Sequence, residues 1–208
     1  MALTELTLSP SAGPIPADVA RFIREADRRI DLFQQSARVP GFVPSDYEAA
    51  YRVLRTISES VLARGRQFCE WGSGFGVVAA LAAMLDFDAV GIEIEPMLVR
   101  EAGRLAEDFD LPVEFVAGSY VPRGAENRVQ SSGLYSWFTP DADYAYDDLG
   151  LDPSDMDVLF AHPWPDEEPM TLDLFDRYCG PGALLVTYHG GDDFRLKRKM
   201  KSAKRGRR

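Results

Sequence analysis

Apolar positions along this chain fall into two rhythms, one helical and one of short buried runs. From Pro16 onward Val19, Phe22, Ile23, Ala26, Ile30 and Phe33 recur three or four positions apart with Arg and Asp between them, predicting an amphipathic helix. "VPGFVP" interrupts that rhythm. Ser45, with Glu48 three residues on, reads as a capping box opening a second helix that carries Val53, Leu54, Ile57 and Val61. Beyond residue 66 short apolar runs take over: "QFCEW", "AVGIEI", "VEFVA", "DVLFA" and "ALLVTY". Helical stretches separate them, at Val77 to Leu85 and from Pro96 through Leu98, Ala102, Leu105 and Phe109. Strands alternating with helices predict βαβ units and right-handed crossovers. The expected fold class is α/β, an open and mainly parallel sheet with helices on both faces and two helices preceding it.

The same pattern divides the chain. Residues 1 to 15 form an arm in which "LTELTL" alternates as a short edge strand would. Residues 16 to 194 form one domain, its first part, 16 to 64, being the two helices. Residues 121 to 155 are rich in Asp and hold Tyr135, Trp137, Phe138, Tyr144 and Tyr146, with too few periodic positions for a further unit, so they read as a lid or substrate loop. After "ALLVTYHGG" the chain passes into a basic run, and the sheet is expected to stop at five strands. The bare edge then needs covering, either by residues 3 to 8 or by a second subunit in a homodimer.

Charge changes the picture at the C-terminus. The 208 residues carry a formal charge of −10, yet "RLKRKMKSAKRGRR", residues 195 to 208, holds nine Lys or Arg and no acid, leaving −19 on the rest. A body so acidic repels nucleic acid over most of its surface. The basic run reads as a disordered tail, either folded back on its own acidic body or free to grip phosphate or an acidic partner. Cys69 and Cys179 supply neither a disulfide framework nor metal-ligand spacing, which suits a reducing cytoplasm. No charge-free apolar stretch is long enough to span a membrane.

The chemistry concentrates in "CEWGSGFG", residues 69 to 76, where a buried strand opens onto Gly72, Gly74 and Gly76. Such a turn lets backbone approach a ligand and aims the amides of the next helix at it. The dinucleotide fingerprint asks for Gly or Ala where Val77 stands, and no Gly-Lys-Ser/Thr follows, so NAD and P-loop nucleotides are disfavoured. Two carboxylates narrow the ligand. Glu70 ends the first strand and can meet a cationic group; Glu93 ends the second, 21 residues after Gly72, where a carboxylate accepts ribose hydroxyls. Together they point to S-adenosylmethionine, the alternative being that either caps a helix or pairs with Arg.

At these residues the sequence resembles the class I S-adenosylmethionine-dependent methyltransferases. "CEWGSGFG" is similar to their Asp/Glu-x-Gly-x-Gly-x-Gly motif and "VGIEIEPMLVREA" to the strand and helix that follow, the likeness running from about Phe42 to Gly190. "FVPSDYEAAYRVL", "WGSG" and "VGIEIEP" are similar to the small protein-lysine methyltransferase branch. The resemblance implies that Glu70 and the glycines hold the methionine end and Glu93 the ribose. Ser119 stands after "VEFVAG", where the family often has an Asp that takes the adenine amino group.

Both histidines fall beyond the carboxyl ends of strands, where ligands bind in open α/β sheets: His162 in "AHPWPDEE" and His189 in "TYHGG". "HPWP" resembles the Asn-Pro-Pro-aromatic motif by which amino-group methyltransferases hold the acceptor nitrogen, with His in place of Asn. His162 then serves as a general base or as a structural imidazole, Pro163 as a rigid support and Trp164 as a stacking face or as packing under the next helix. Asp166, Glu167 and Glu168 suit a helix N-terminus and also attract a cation. The leading expectation is a methyltransferase acting on an amine, protein lysine ahead of nucleic acid because the body is acidic. An RNA or ribosome-associated methyltransferase using the basic tail is the second reading, and a non-catalytic S-adenosylmethionine-binding or interaction protein the third. A dehydrogenase comes last, for want of the third fingerprint glycine.

Overall fold

The computed structural model describes residues 3 to 131 and 142 to 201. Along the chain stand β1 (Leu3–Leu6), α1 (Ala17–Ser36), α2 (Tyr47–Ser58), β2 (Gln67–Trp71), α3 (Val77–Ala83), β3 (Asp88–Glu93) and α4 (Pro96–Asp108). There follow β4 (Glu114–Ala117), α5 (Glu126–Ser131), α6 (Ala145–Leu149), a single 3-10 turn (Pro153–Asp155), β5 (Val158–Ala161), α7 (Glu168–Tyr178), β6 (Leu184–Tyr188) and β7 (Phe194–Lys199). The strands form one sheet in the order β1-β7-β6-β5-β2-β3-β4. From β6 to β4 the pairing is parallel, whereas β7 lies antiparallel between β6 and β1.

Period-two alternation sends successive strand residues to opposite faces, and both faces are covered. Phe68, Phe160, Val158, Leu184 and Val186 pack under α1, α2 and α3 in one apolar cluster. Their chain neighbours Cys69, Trp71, Leu159, Ala161 and Leu185 pack on the other face with Tyr146, Leu174 and Phe175. Each fully buried Phe or Leu in these layers contributes roughly 2 kcal/mol, which is why the strands read as continuous apolar runs.

After β2 the chain adds β3 and then β4 on one side, returns, and lays β5 against the other side of β2. The reversal between β2 and β5 opens a crevice at the carboxyl ends of those strands. It is the geometric origin of the site.

Several expectations are corrected. The sheet does not stop at five strands: Gly190 and Gly191, at φ +98° and +55°, turn the chain back so that Phe194 pairs with Tyr188 and Leu196 with Val186. Residues 195 to 199 of the expected disordered tail are therefore β-sheet, and residues 202 to 208 lie outside the described residues. Leu196, 1% exposed, is the apolar anchor of β7. The basic side chains are spent within the fold: Arg195 on Glu168 and Asp193, Lys197 on Glu5, Lys199 on the Cys179 carbonyl and Arg198 on that of Leu62. Residues 3 to 6 do form an edge strand, but against β7 rather than against β6.

Helix α2 begins one residue later than the Ser45–Glu48 capping box requires, with Asp46 Oδ1 accepting the Ala49 amide at 2.9 Å. It ends at Ser58, so Val61, 99% exposed, is not part of its apolar face. The expected loop between residues 121 and 155 contains α5, α6 and the 3-10 turn, with Tyr146 fully buried and its hydroxyl accepting the Trp71 indole N–H at 2.6 Å. Tyr135, Trp137 and Phe138 lie outside the described residues. Among the described residues no helix is long and apolar enough to cross a membrane.

Candidate active site

The crevice widens into a cavity of about 560 Å³ at the carboxyl ends of the parallel strands, within the range of small-molecule sites. The glycine loop and Glu93 form one half, "HPWP" and the β6–β7 turn the other.

In the first half backbone does most of the holding. The amides of Gly72 and Ser73 both donate to the Ile92 carbonyl at 2.9 Å, tying the loop to the end of β3. Glu93, 7% exposed, then crosses the gap: Oε2 accepts the Gly74 amide at 2.8 Å and Oε1 the Glu95 amide at 3.0 Å. Each oxygen retains a lone pair for a hydroxyl. Burial raises its pKa above the ordinary carboxylate value, against the pull of those amides.

The three glycines have different reasons. All have positive φ, from +53° to +70°. At Gly72 a Cβ would meet nothing within 4 Å, so the space above it is open to a ligand. At Gly74 a Cβ would come within 2.6 Å of the Phe42 ring, and at Gly76 it would collide with Phe115 and Ala102. Gly76 stands immediately before α3 and is not one of the residues lining the cavity.

Glu70 lies beneath the loop, with Oε2 accepting the Ala79 amide in the first turn of α3 at 2.8 Å. Burial pushes its pKa well above the ordinary range, and neighbouring Glu93 adds to the effect. It thus caps a helix and lines the cavity at once. Ser119 also lines the cavity, its hydroxyl accepting the Val121 amide at 3.1 Å and its backbone bridged to Asp143 and Ala145.

The second half is assembled from three separate segments. His162 follows β5 directly, packs edge-on against Tyr188 with 4.7 Å between centroids, and sets Nδ1 3.3 Å from Ser45 Oγ on the linker between α1 and α2. Burial lowers its pKa, a backbone contact with Val43 opposing the shift, so the imidazole is neutral at pH 7. His189 sets Nε2 2.8 Å from Thr187 Oγ1 and 3.8 Å from Glu168, and burial lowers its pKa too. Pro163 is buried. Trp164 does not pack under α7 but stands 44% exposed in the cavity wall.

The three acids after "HPWP" have three fates. Asp166 is exposed, Glu168 is held by both of its oxygens to Arg195 Nη1 at 3.0 Å, and Glu167 is 5% exposed in the cavity wall. Sequence reasoning missed Arg195 and Ser45 as site residues and did not separate Glu167 from its neighbours Asp166 and Glu168. Gly190-Gly191 followed by the alternation of Phe194 and Leu196 with Arg195 and Lys197 was the available signal for a hairpin carrying Arg195 into place. Among the described residues no group of three or more His, Cys, Asp or Glu side chains is placed to hold a metal ion.

This architecture is that of the S-adenosylmethionine-dependent methyltransferase fold. No family model and no curated protein matches the chain. Among solved structures it is similar to an RNA methyltransferase from Salinibacter ruber in complex with S-adenosyl-L-homocysteine, at 16% identity and a TM-score of 0.54 over 79% of this chain and 98% of that one. A methyltransferase from Geobacter sulfurreducens matches at 16% identity and 0.53, covering 90% of this chain and 92% of that chain. The O-methyltransferase from Bacillus cereus in complex with S-adenosylhomocysteine matches at 14% and 0.51, over 85% and 67%.

Proposed function

We propose that the chain is an S-adenosylmethionine-dependent methyltransferase acting on an amine, with protein lysine as the acceptor class that the sequence resemblance implies. One observation carries this reading: a single cavity joins the open face of Gly72 and the carboxylate of Glu93 to the "HPWP" wall. The residues fit the cofactor, since Gly72 leaves room for it, Glu93 keeps lone pairs for the ribose hydroxyls and Glu70 lines the cavity beneath the loop as an acceptor for the methionine ammonium. When bound, the cofactor supplies a methyl group on a positively charged sulfur. Alignment of an acceptor toward that methyl accounts for much of the rate in such transfers. Pro163, Trp164 and the anchored His162 provide a rigid acceptor wall, and the neutral imidazole of His162 is able to take a proton from an acceptor amine.

Charge in the cavity supports an amine. Glu95, Glu168 and Asp193 line it, with the buried Glu70, Glu93 and Glu167 beside them at pKa values that burial raises, while its Arg195 is held by Glu168 and Asp193. Calorimetric titration with S-adenosylmethionine and S-adenosylhomocysteine, NAD serving as control, tests the reading. Micromolar binding of the first two is expected, weakened in Glu93→Ala by about thirtyfold, or about 2 kcal/mol for two lost hydroxyl contacts. A response to NAD alone would overturn it. Intact cofactor binding with no turnover on any amine would leave a cofactor-binding protein instead.

RNA is the second reading, supported by the Salinibacter structure and by the basic residues from Lys201 onward. Deleting residues 202 to 208 tests it without removing β7. A salt-dependent RNA affinity lost on deletion supports it; an affinity unchanged by deletion counts against it.

A further inference from the structure

Three buried side-chain atoms among the described residues lack a hydrogen-bond partner: Arg55 Nε, Ser73 Oγ and Glu167 Oε1. Arg55 holds the N-terminal arm through its other guanidinium nitrogens, which donate to Ser11 and Pro14. Ser73 belongs to the cofactor loop, its hydroxyl set against Gly91 of the sheet. Glu167 stands in the acceptor half.

The turn before α7 fixes Glu167 closely. Its amide donates to the Trp164 carbonyl at 2.8 Å, and its Oε2 accepts the Trp164 amide at 3.2 Å. Its carbonyl accepts the Thr171 amide at 2.9 Å and the Thr171 hydroxyl at 3.1 Å. Oε1 is left with neither a protein donor nor solvent; the residue itself lines the cavity with His162, Trp164 and Thr171, and a turn of the carboxylate about its broad terminal torsion is what presents Oε1 to a donor there. A buried carboxylate oxygen without a donor is unfavourable, and beside a cavity a ligand donor is one way such an atom is completed. The complement is an N–H on a cation. The half-exposed indole of Trp164 offers the same cation an aromatic face.

We propose that Glu167 Oε1 anchors the N–H of an ammonium-bearing acceptor and so selects amines over uncharged acceptors of the same shape. This rests on the methyltransferase reading, which makes the "HPWP" wall the acceptor side. Glu167 thereby becomes a specificity-determining residue that no motif marks.

The experiment uses the full chain, saturated with S-adenosylhomocysteine and in parallel without it, titrated with benzylamine and with its uncharged counterpart benzyl alcohol. The wild type is expected to favour benzylamine at least about tenfold. Glu167→Gln keeps an oxygen for the Trp164 amide and is expected to bring the two probes within about threefold of each other, with S-adenosylhomocysteine affinity unchanged. Glu167→Asp, which withdraws the carboxylate by one methylene, is expected to lose most of the preference. It serves as the second variant should Glu167→Gln fail to give a cooperative melt. Asp166→Asn, an exposed acid in the same turn, is expected to keep the preference.

No discrimination by the wild type, or discrimination that survives both Glu167 variants, overturns the inference; so does its loss in Asp166→Asn, which would assign it to diffuse charge. S-adenosylhomocysteine binding that persists in those cases leaves the methyltransferase reading standing. If the wild type fails to bind S-adenosylhomocysteine, that reading falls instead. The probe preference of the unloaded protein then still decides the role of Glu167.

Discussion

The two halves of the cavity are built differently. On the glycine-loop side, amides and one carboxylate do the work, and Gly72, Ser73, Gly74, Ile92 and Glu93 come from two adjacent strand ends. On the "HPWP" side, His162 from the end of β5 meets Ser45 from the α1–α2 linker, while Glu168 at the start of α7 meets Arg195 from β7. Backbone geometry dictated over a few residues leaves a mark in sequence as glycines at fixed spacing. Side chains brought together across the fold leave none. The first half suits a constant ligand and the second a variable one, because exchanging a side chain in the second disturbs little of the frame.

That contrast is open to breaking. Gly76→Ala should have the largest effect, roughly 2–4 kcal/mol of lost stability from left-handed backbone plus collision with Phe115 and Ala102. Urea denaturation measures it, and because Gly76 lies outside the cavity wall the folded fraction should keep its cofactor affinity. A stable Gly76→Ala with impaired binding would give that glycine the ligand role instead.

Trp164→Ala should behave in the opposite way. Half exposed, it should cost less than about 0.5 kcal/mol of stability and leave S-adenosylhomocysteine affinity alone, while benzylamine binding should weaken by about 1 kcal/mol, or about fivefold. Calorimetry on the two ligands separates the effects. Equal weakening of both would mean that the halves are one unit.

The subtlest test is pH. Burial depresses the His162 pKa, so from its unfolded value of 6.5 downward the unfolded chain binds more protons than the folded one. Its contribution is complete above pH 6.5 and is lost as pH falls toward the folded value. Buried Glu70 and Glu93 act with opposite sign, folded pKa values above 4.5 making them favour low pH. Only the difference between wild type and His162→Gln isolates the imidazole. The variant should lose less stability than wild type between pH 6.5 and 5, measured by denaturation at each pH.

How far the site was legible follows from the same physics. The central parallel strands were visible because burial on both faces demands unbroken apolar runs such as "DVLFA". β7 was hidden because only Phe194 and Leu196 give it an apolar side while Arg195, Lys197 and Lys199 reach acids and carbonyls of the body, so a strand carried the composition of a disordered tail. Ser45 looked like a helix cap, yet Asp46 took that task and left the hydroxyl to His162.

Sequence alone determined the α/β class, the glycine loop and the carboxylate at the end of β3, since each depends on contacts between near neighbours or on burial repeated along a strand. Tertiary structure decided the rest. It joined the basic run to the sheet as β7, separated Gly76 from the cavity, and gave Asp166, Glu167 and Glu168 three different fates. The physical reason is that a carboxylate's role depends on which donors surround it after folding, and three consecutive acids carry no record of which one the α7 turn will bury.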